Sequence, residues 1–126
     1  MDKIVDTSEK SKIHIGIEGE NQVTKVLFDV TKWNDPNRVP LLVPGGRYIV
    51  YVKKPGENEI VQHEIPLIKK KEIIKGEITY KYYALWSIEL SDLEKPGNGG
   101  VQLYYKNDNG QVKASPIYDT VITKCL

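Results

Sequence analysis

Apolar residues recur at every second position along most of the chain, which is the period of a β-strand with one buried face. The alternation is clear in segments 12–17, 26–30, 47–53 and 101–105. Clusters of turn-forming residues separate such segments, among them Asn-Asp-Asn-Gly at 107–110, and an Asn-Gly pair is a strong hairpin signal. The pattern predicts an all-β fold, an antiparallel, immunoglobulin-like β-sandwich of about seven to nine strands with at most one short helix.

Helix and strand patterns compete only in the lysine- and tyrosine-rich segment 69–90. Its β-branched and aromatic residues favour strands, and Gly76 would cost a helix about 1 kcal/mol. We therefore predict a hairpin around 71–76, followed by a long strand that runs through Trp86 and Ile88.

Three further segments give weaker signals. Pro66 interrupts the strand pattern of 60–68 and belongs at a strand end or a sheet edge, because proline cannot donate to a ladder. Ser91 has capping-box spacing to a glutamate three residues later, which predicts one short helical turn capped by Ser91. The glycine-rich run 96–100 is predicted as a loop between strands.

Length and composition indicate one compact domain. The chain has 126 residues, of which 40% are hydrophobic and 28% charged, values typical of a globular domain with a single core. We predict one β-sandwich domain over residues 12–126. Residues 1–11 mix both charges and offer little apolar surface, so we expect a flexible N-terminal arm there. The predicted core consists of Val26, Phe28, Trp33, Val50, Val52, Trp86, Ile88, Leu103 and Tyr105.

Charge and cysteine content narrow the classes of function. The chain has 18 Lys and Arg against 17 Asp and Glu, and this balance excludes a globally basic, nucleic-acid-type protein. The single cysteine, Cys125, excludes an intrachain disulfide and a cysteine metal cluster. Neither a signal peptide nor a membrane span is indicated by the apolar pattern. We expect a protein that is not secreted by a signal peptide and that binds neither nucleic acid nor membrane.

No combination of residues predicts catalysis. His14 and His63 lack partners at metal-ligand spacing and are predicted as ordinary sheet histidines. Cys125 is expected to be a small apolar residue rather than a nucleophile. The run 96–100 lacks the Lys-Ser/Thr of a phosphate-binding loop, and a calcium-loop alignment places Tyr105 where the first Asp ligand belongs. We predict a protein that is not an enzyme and holds no metal and no cofactor.

The remaining candidate for function is the basic and aromatic segment 69–83, which holds five lysines, three tyrosines and two glutamates. A solvated hairpin tip that protects a sheet edge and a protein-binding edge both fit this composition. A single-stranded nucleic-acid site fits less well, because the glutamates dilute the charge. We place docking here rather than at 96–100, which has few side chains to anchor a partner. The predicted partner-binding residues are Lys70, Lys71, Tyr80, Tyr82 and Tyr83.

A series of short landmarks follows in order between residues 22 and 126. They are Val-Leu-Phe-Asp-Val-Thr-Lys-Trp at 26–33, Leu-Leu-Val at 41–43, the strand 48–53 with Pro-Gly at 55–56, Trp-Ser-Ile at 86–88, Gly-Gly-Val-Gln-Leu-Tyr-Tyr at 99–105 and Ser-Pro-Ile-Tyr at 115–118. This order resembles a small β-sandwich module of structural proteins in tailed phages and prophages of Firmicutes. It is similar to the N-terminal domains of phage fibre proteins and, more distantly, of upper baseplate proteins. In such modules Phe28, Trp33 and Trp86 would be core anchors.

The resemblance implies a virion structural protein without catalytic activity. Its role would be that of an accessory or decoration protein, or of a tail, baseplate or fibre-type module, docked on capsid or tail by protein–protein contacts. Other virion proteins are then the expected partners, in many copies per particle, and a homo-oligomer is an open alternative. The protein would be made in the host cytoplasm and reside in the virion. A carbohydrate-binding receptor or adhesion module is the alternative function, and a small hydrolase or nuclease is the weaker rival.

Overall fold

The computed structural model describes residues 3–7, 10–34, 46–108, 110 and 112–125. This part of the chain contains ten strands and two short 3-10 helices. The strands are β1 Lys3–Asp6, β2 Lys12–Ile17, β3 Thr24–Asp29, β4 Arg47–Lys53, β5 Ile60–Ile65, β6 Leu67–Ile74, β7 Glu77–Ser87, β8 Gly97–Lys106, β9 Val112–Ala114 and β10 Tyr118–Thr123, and the 3-10 helices are Thr31–Asn34 and Leu90–Asp92. The all-β prediction is confirmed, with ten strands where about seven to nine were expected. The landmark at 41–43 lies outside the described residues.

The strands form two sheets that pack face to face. The four-stranded sheet has the order β1-β3-β7-β6, and the six-stranded sheet has the path β2-β10-β8-β4-β5 with β9 beside β8. The pairs β1–β3 and β2–β10 are parallel, and the other pairings among the described strands are antiparallel. The prediction of an antiparallel sandwich is therefore corrected at two pairings. β2 lies between β1 and β3 in the chain but belongs to the six-stranded sheet. After this crossing to the other sheet and back, β3 runs in the same direction as β1.

The core lies between the inner faces of the two sheets. The predicted core residues that are buried are Val26, Phe28, Val50, Val52, Trp86, Ile88, Leu103 and Tyr105. Burying a side chain such as Phe or Leu contributes about 1.5–3 kcal/mol relative to leaving it exposed. Trp33 differs, since it follows β3 in a 3-10 helix and is only partly buried against the core. Its ring stacks on that of Tyr48 with centroids 6.3 Å apart.

The N-terminal segment differs from the predicted flexible arm. Lys3–Asp6 forms an edge strand that pairs in parallel with β3, and the side chain of Val5 is buried in the core. The N–H of Lys3 donates to the carbonyl of Val23 at 2.7 Å, and the Thr7 hydroxyl donates to the carbonyl of Leu27 at 3.0 Å. The composition of residues 3–6 did not indicate this strand, because the strand depends on pairing with the edge of β3, which lies elsewhere in the sequence.

Two local predictions are corrected near β8. The 3-10 turn Leu90–Asp92 has Glu89 as its N-cap, in place of the predicted Ser91. Residues 97–100 of the run predicted as a loop lie inside β8, which pairs with β10 from Gly97 to Val101. Glycine is depleted in strands, and its frequency in this run therefore indicated a loop. Backbone pairing with β10 nevertheless holds these residues in a strand.

Candidate functional site

The hairpin of β6 and β7 extends beyond the rest of its sheet. The two strands pair over residues 67–74 and 77–84, whereas β3 pairs with β7 only at residues 83–87. Among the described strands, residues 77–82 of β7, which lie nearest the turn, therefore pair only with β6. We call the two-stranded segment formed by residues 69–82 the projecting ribbon.

A two-residue turn closes the projecting ribbon. Lys75 and Gly76 have φ values of 52° and 80°, and positive φ at both positions is the mark of a type I′ turn, whose twist suits a hairpin. A Cβ at Gly76 would meet no atom within 4 Å, so the positive φ rather than packing favours glycine there. The predicted hairpin is confirmed, and its turn sets the register with Ile74 opposite Glu77.

The register places Lys71, Tyr80 and Tyr82 on one face of the ribbon. Lys71 lies opposite Tyr80, and Tyr82 lies opposite Lys69. This face continues the inner side of β7, because side chains two residues apart along a strand share a face and Trp86 is buried on that side. We call it the aromatic face, and its side chains are those of Lys69, Lys71, Ile73, Ile78, Tyr80 and Tyr82.

The aromatic face is increasingly exposed toward the turn. Tyr82 is partly buried and packs against the core, whereas Tyr80 is 44% exposed, Ile78 57% and Ile73 72%. The same alternation that buries Trp86 thus continues past the point where the opposing sheet covers it. The result is a group of neighbouring apolar side chains in contact with solvent, a feature that in monomeric proteins marks interaction surfaces.

Lys69 organises the two tyrosines of this face. Its ammonium nitrogen lies 4.2 Å from the centre of the Tyr80 ring and 5.7 Å from that of Tyr82. Cation–π contacts at exposed sites contribute about 0.5–1 kcal/mol. The contacts hold the rings in a defined arrangement, which lowers the entropy that binding would have to remove.

Lys70 and Tyr83 lie on the opposite face of the hairpin. Tyr83 leaves only 8% of its surface exposed, and the Lys70 ammonium lies 5.6 Å from the centre of its ring. Burial raises the pKa of Tyr83, an effect opposed by the nearby charge of Lys81 and reinforced by Asp29. The structure therefore separates the predicted partner-binding residues, with Tyr83 packed into the fold and Tyr80 presented to solvent.

The charge of the ribbon is basic but partly neutralised. The Lys81 ammonium lies 3.5 Å from a carboxylate oxygen of Glu72, and this carboxylate raises the pKa of Lys81. Residues 69–82 contain five lysines and two glutamates, in a chain with a net charge of +1. The ribbon is thus more basic than the rest of the protein.

Three residues of the aromatic face were not among the predicted partner-binding residues. They are Lys69, which lies against the two tyrosine rings, and Ile73 and Ile78, which are exposed apolar side chains. Counting back from Trp86 in steps of two places Ile78 on the face of Tyr80. The turn at 75–76 then places Ile73 opposite Ile78. Counting alternate residues back from Trp86, with the turn fixed at 75–76, would therefore have placed Ile73 and Ile78 on this face from the sequence.

His63 and Asp92 form a pair that the sequence spacing did not indicate. His63 Nε2 lies 3.1 Å from Asp92 Oδ1, and the Asp92 side chain is 1% exposed. The second oxygen, Oδ2, accepts the N–H of Glu89 at 3.0 Å. The pair joins β5 to the turn that leads toward β8, and beside it lies a cleft of about 160 Å³ that includes Trp86 and Ser87.

The described residues contain no group of three or more His, Cys, Asp or Glu side chains that could hold a metal ion. None of the helices described for the chain is long and apolar enough to cross a membrane.

No protein-family model matches the chain. A search of curated proteins also finds no match.

Proposed function

We propose that this protein is a non-catalytic structural component of a phage particle that docks on another virion protein through the aromatic face of the projecting ribbon. The observation that carries the proposal is the exposure of Ile73, Ile78 and Tyr80 on one face of a hydrogen-bonded hairpin. Apolar side chains grouped in this way gain most of their binding free energy when a partner removes them from water.

The chemistry of the ribbon favours a partner with an acidic rim around an apolar groove. Interface affinity usually rests on a few aromatic anchors, tyrosine among them, surrounded by a polar rim. Tyr80 supplies such an anchor, and the Lys69 ammonium 4.2 Å from its ring supplies charge beside it. The lysines would steer approach to an acidic surface and thereby raise the association rate more than the final affinity.

The edge of the sheet favours contact through side chains rather than by strand addition. β6 is the outermost strand of the four-stranded sheet, and it carries the consecutive lysines 69–71. Lysines on an edge strand oppose open-ended pairing with other strands. A docked copy would therefore present its face to the particle and leave its edge solvated.

The resemblance to phage modules provides the setting of this proposal. Such modules are β-sandwiches, and the sandwich found here has the fold that the resemblance implies. In that setting the protein is made in the host cytoplasm and joins the capsid or tail in many copies. Each copy would use one ribbon, which suits a small contact repeated over a symmetric assembly.

The test is incorporation into particles purified from the organism that carries this sequence, measured by quantitative mass spectrometry. Tyr80→Ala and Ile78→Ser should each lower incorporation at least about tenfold, the loss expected for an interface hot spot. Ile4→Ser is the matched control, because Ile4 is 61% exposed on β1, at the other edge of the same sheet. It should incorporate like the unmodified protein, and all three variants should melt as it does.

Two results would overturn the proposal. One is normal incorporation of folded Tyr80→Ala and Ile78→Ser variants, and the other is absence of the protein from purified particles. The non-catalytic part is tested separately with generic ester and nucleic-acid substrates. Turnover that disappears in a folded His63→Gln variant would show an activity that the proposal denies.

A further inference from the structure

A groove crosses the outer face of the six-stranded sheet, on a different sheet from the projecting ribbon. Gly100 of β8 lies in register between Lys53 of β4 and Asp119 of β10. Side chains of directly paired residues point to the same face, so Lys53 and Asp119 flank a position without a side chain. Two hollows of about 160 and 470 Å³ meet there and share Lys53, Gly100 and Ile117.

The fold does not require glycine at position 100. A Cβ at Gly100 would have its nearest contacts at 3.8 Å, with Ile117 and the Tyr118 carbonyl oxygen, and its φ lies outside the left-handed region. At Gly99, by contrast, a Cβ would lie 2.3 Å from the carbonyl oxygen of Lys53. Crowding by the backbone therefore explains why position 99 is a glycine. Position 100 has room for a side chain, and the absence of one leaves the groove open.

One end of the groove is apolar and rigid. Ile117 is 67% exposed there, next to Tyr51. The Tyr51 ring meets that of Tyr104 edge-on, with centroids 4.6 Å apart, and the Lys106 ammonium donates to the Tyr51 hydroxyl at 2.5 Å. These contacts fix an aromatic side chain beside the groove before any ligand arrives.

The other end offers polar groups of both charges. Asn58 and Asn98 line it with Asp119, and their amide and carboxylate groups supply several hydrogen-bond donors and acceptors. Lys53 and Lys54 line this end with Glu57 and Asp119, so the lining carries two positive and two negative side chains. Opposite charges in balance favour a neutral ligand over an ion.

The position of the groove disfavours an extended peptide. A peptide strand binds by adding to an unpaired sheet edge, but β8 at Gly100 is already paired on both sides. A compact ligand with many hydroxyls and one apolar face matches both ends of the groove. We propose that this groove binds a neutral saccharide, with C–H groups against Tyr51 and Ile117 and hydroxyls toward Asn98 and Asp119.

The test begins with a glycan array probed with the purified full chain, followed by calorimetric titration with a saccharide that binds. Gly100→Leu should lower affinity at least about tenfold by filling the groove, and Asp119→Ala should weaken binding by removing hydroxyl acceptors. Both variants should melt like the unmodified protein. Tyr80→Ala is the control, because Tyr80 lies on the projecting ribbon, and it should bind the saccharide unchanged.

The proposal is wrong if the unmodified protein binds no glycan on the array, or if folded Gly100→Leu binds with unchanged affinity. Exclusive binding of charged glycans, with Lys53→Ala as the most damaging change, would also contradict it. Gly100→Leu should still be incorporated into particles. Failure of saccharide binding and failure of docking through the ribbon are therefore separate outcomes.

Discussion

The rings of Phe28 and Tyr118 meet across the sandwich, with centroids 5.7 Å apart and planes tilted by 59°. Phe28 belongs to β3 of the four-stranded sheet and Tyr118 to β10 of the six-stranded sheet. Tilted pairs at this distance are a favourable arrangement of aromatic rings. The contact therefore fastens the two layers at one place in the core.

Phe28→Ala should lower the free energy of unfolding by about 3–5 kcal/mol, because it leaves a cavity where a buried ring now packs. Tyr118→Phe keeps the ring and is expected to change stability by less than about 1 kcal/mol, judged from tolerance of volume-conserving changes. Denaturant unfolding measures both. A small loss in Phe28→Ala would mean that Phe28 is not the anchor its 2% exposure indicates.

The fold was predictable where the pattern is local. The strands predicted at 12–17 and 47–53 have the bounds found for β2 and β4, because alternation of apolar residues is a property of the strand itself. The strand at Lys3–Asp6 was missed, since it depends on pairing with a distant edge of β3. Pairing partners far apart in sequence leave no mark in local composition.

The two neighbouring glycines of β8 should respond differently to alanine. In Gly99→Ala the new Cβ would lie 2.3 Å from the Lys53 carbonyl oxygen, so the β4–β8 ladder must shift at a cost of about 1–3 kcal/mol. Gly100→Ala has ordinary contacts and should be neutral or stabilising by up to about 1 kcal/mol. Thermal and denaturant unfolding of the matched pair measure the difference. Equal losses would refute the assignment of crowding to Gly99 alone.

The alkaline loss of stability should depend on Tyr83. Burial raises the pKa of this phenol above its ordinary value of 10.0, so its contribution to stability is fully present below about pH 10 and is lost as pH rises through the folded-state pKa. The pKa of Lys81 is also raised, chiefly by Glu72, and its contribution is lost in the same direction. Tyr83→Phe removes the phenol and leaves the Lys81–Glu72 pair in place.

Unfolding free energies measured between about pH 8 and 11 should therefore fall less steeply in Tyr83→Phe than in the unmodified protein. Identical slopes for the unmodified protein and Tyr83→Phe would show that burial of Tyr83 does not disfavour its ionisation.

The amino-acid composition of the candidate site could be predicted from the sequence, but the exposure of its side chains could not. The residue types of segment 69–83 identified a basic and aromatic hairpin, yet Tyr80 and Tyr83 lie on opposite faces. The turn at 75–76 fixes the register of the hairpin. Whether a residue of β7 has an odd or an even number is then enough to assign Tyr80 and Tyr83 to different faces. Exposure could not be derived in this way, because it depends on β3 ending at Asp29, and thus on where the rest of the fold stops covering β7.

Asp92→Ala should be among the most destabilising changes outside the apolar core. The carboxylate is 1% exposed, and one oxygen lies 3.1 Å from His63 Nε2 while the other accepts the N–H of Glu89 at 3.0 Å. Alanine removes both hydrogen bonds of this buried carboxylate, and each such hydrogen bond contributes about 0.5–1.5 kcal/mol to stability. Asp108→Ala, at an exposed position, is the control and should change stability by less than about 0.5 kcal/mol. Denaturant unfolding distinguishes the two, and a loss in Asp92→Ala no larger than in the control would show that the His63–Asp92 contact contributes nothing to the fold.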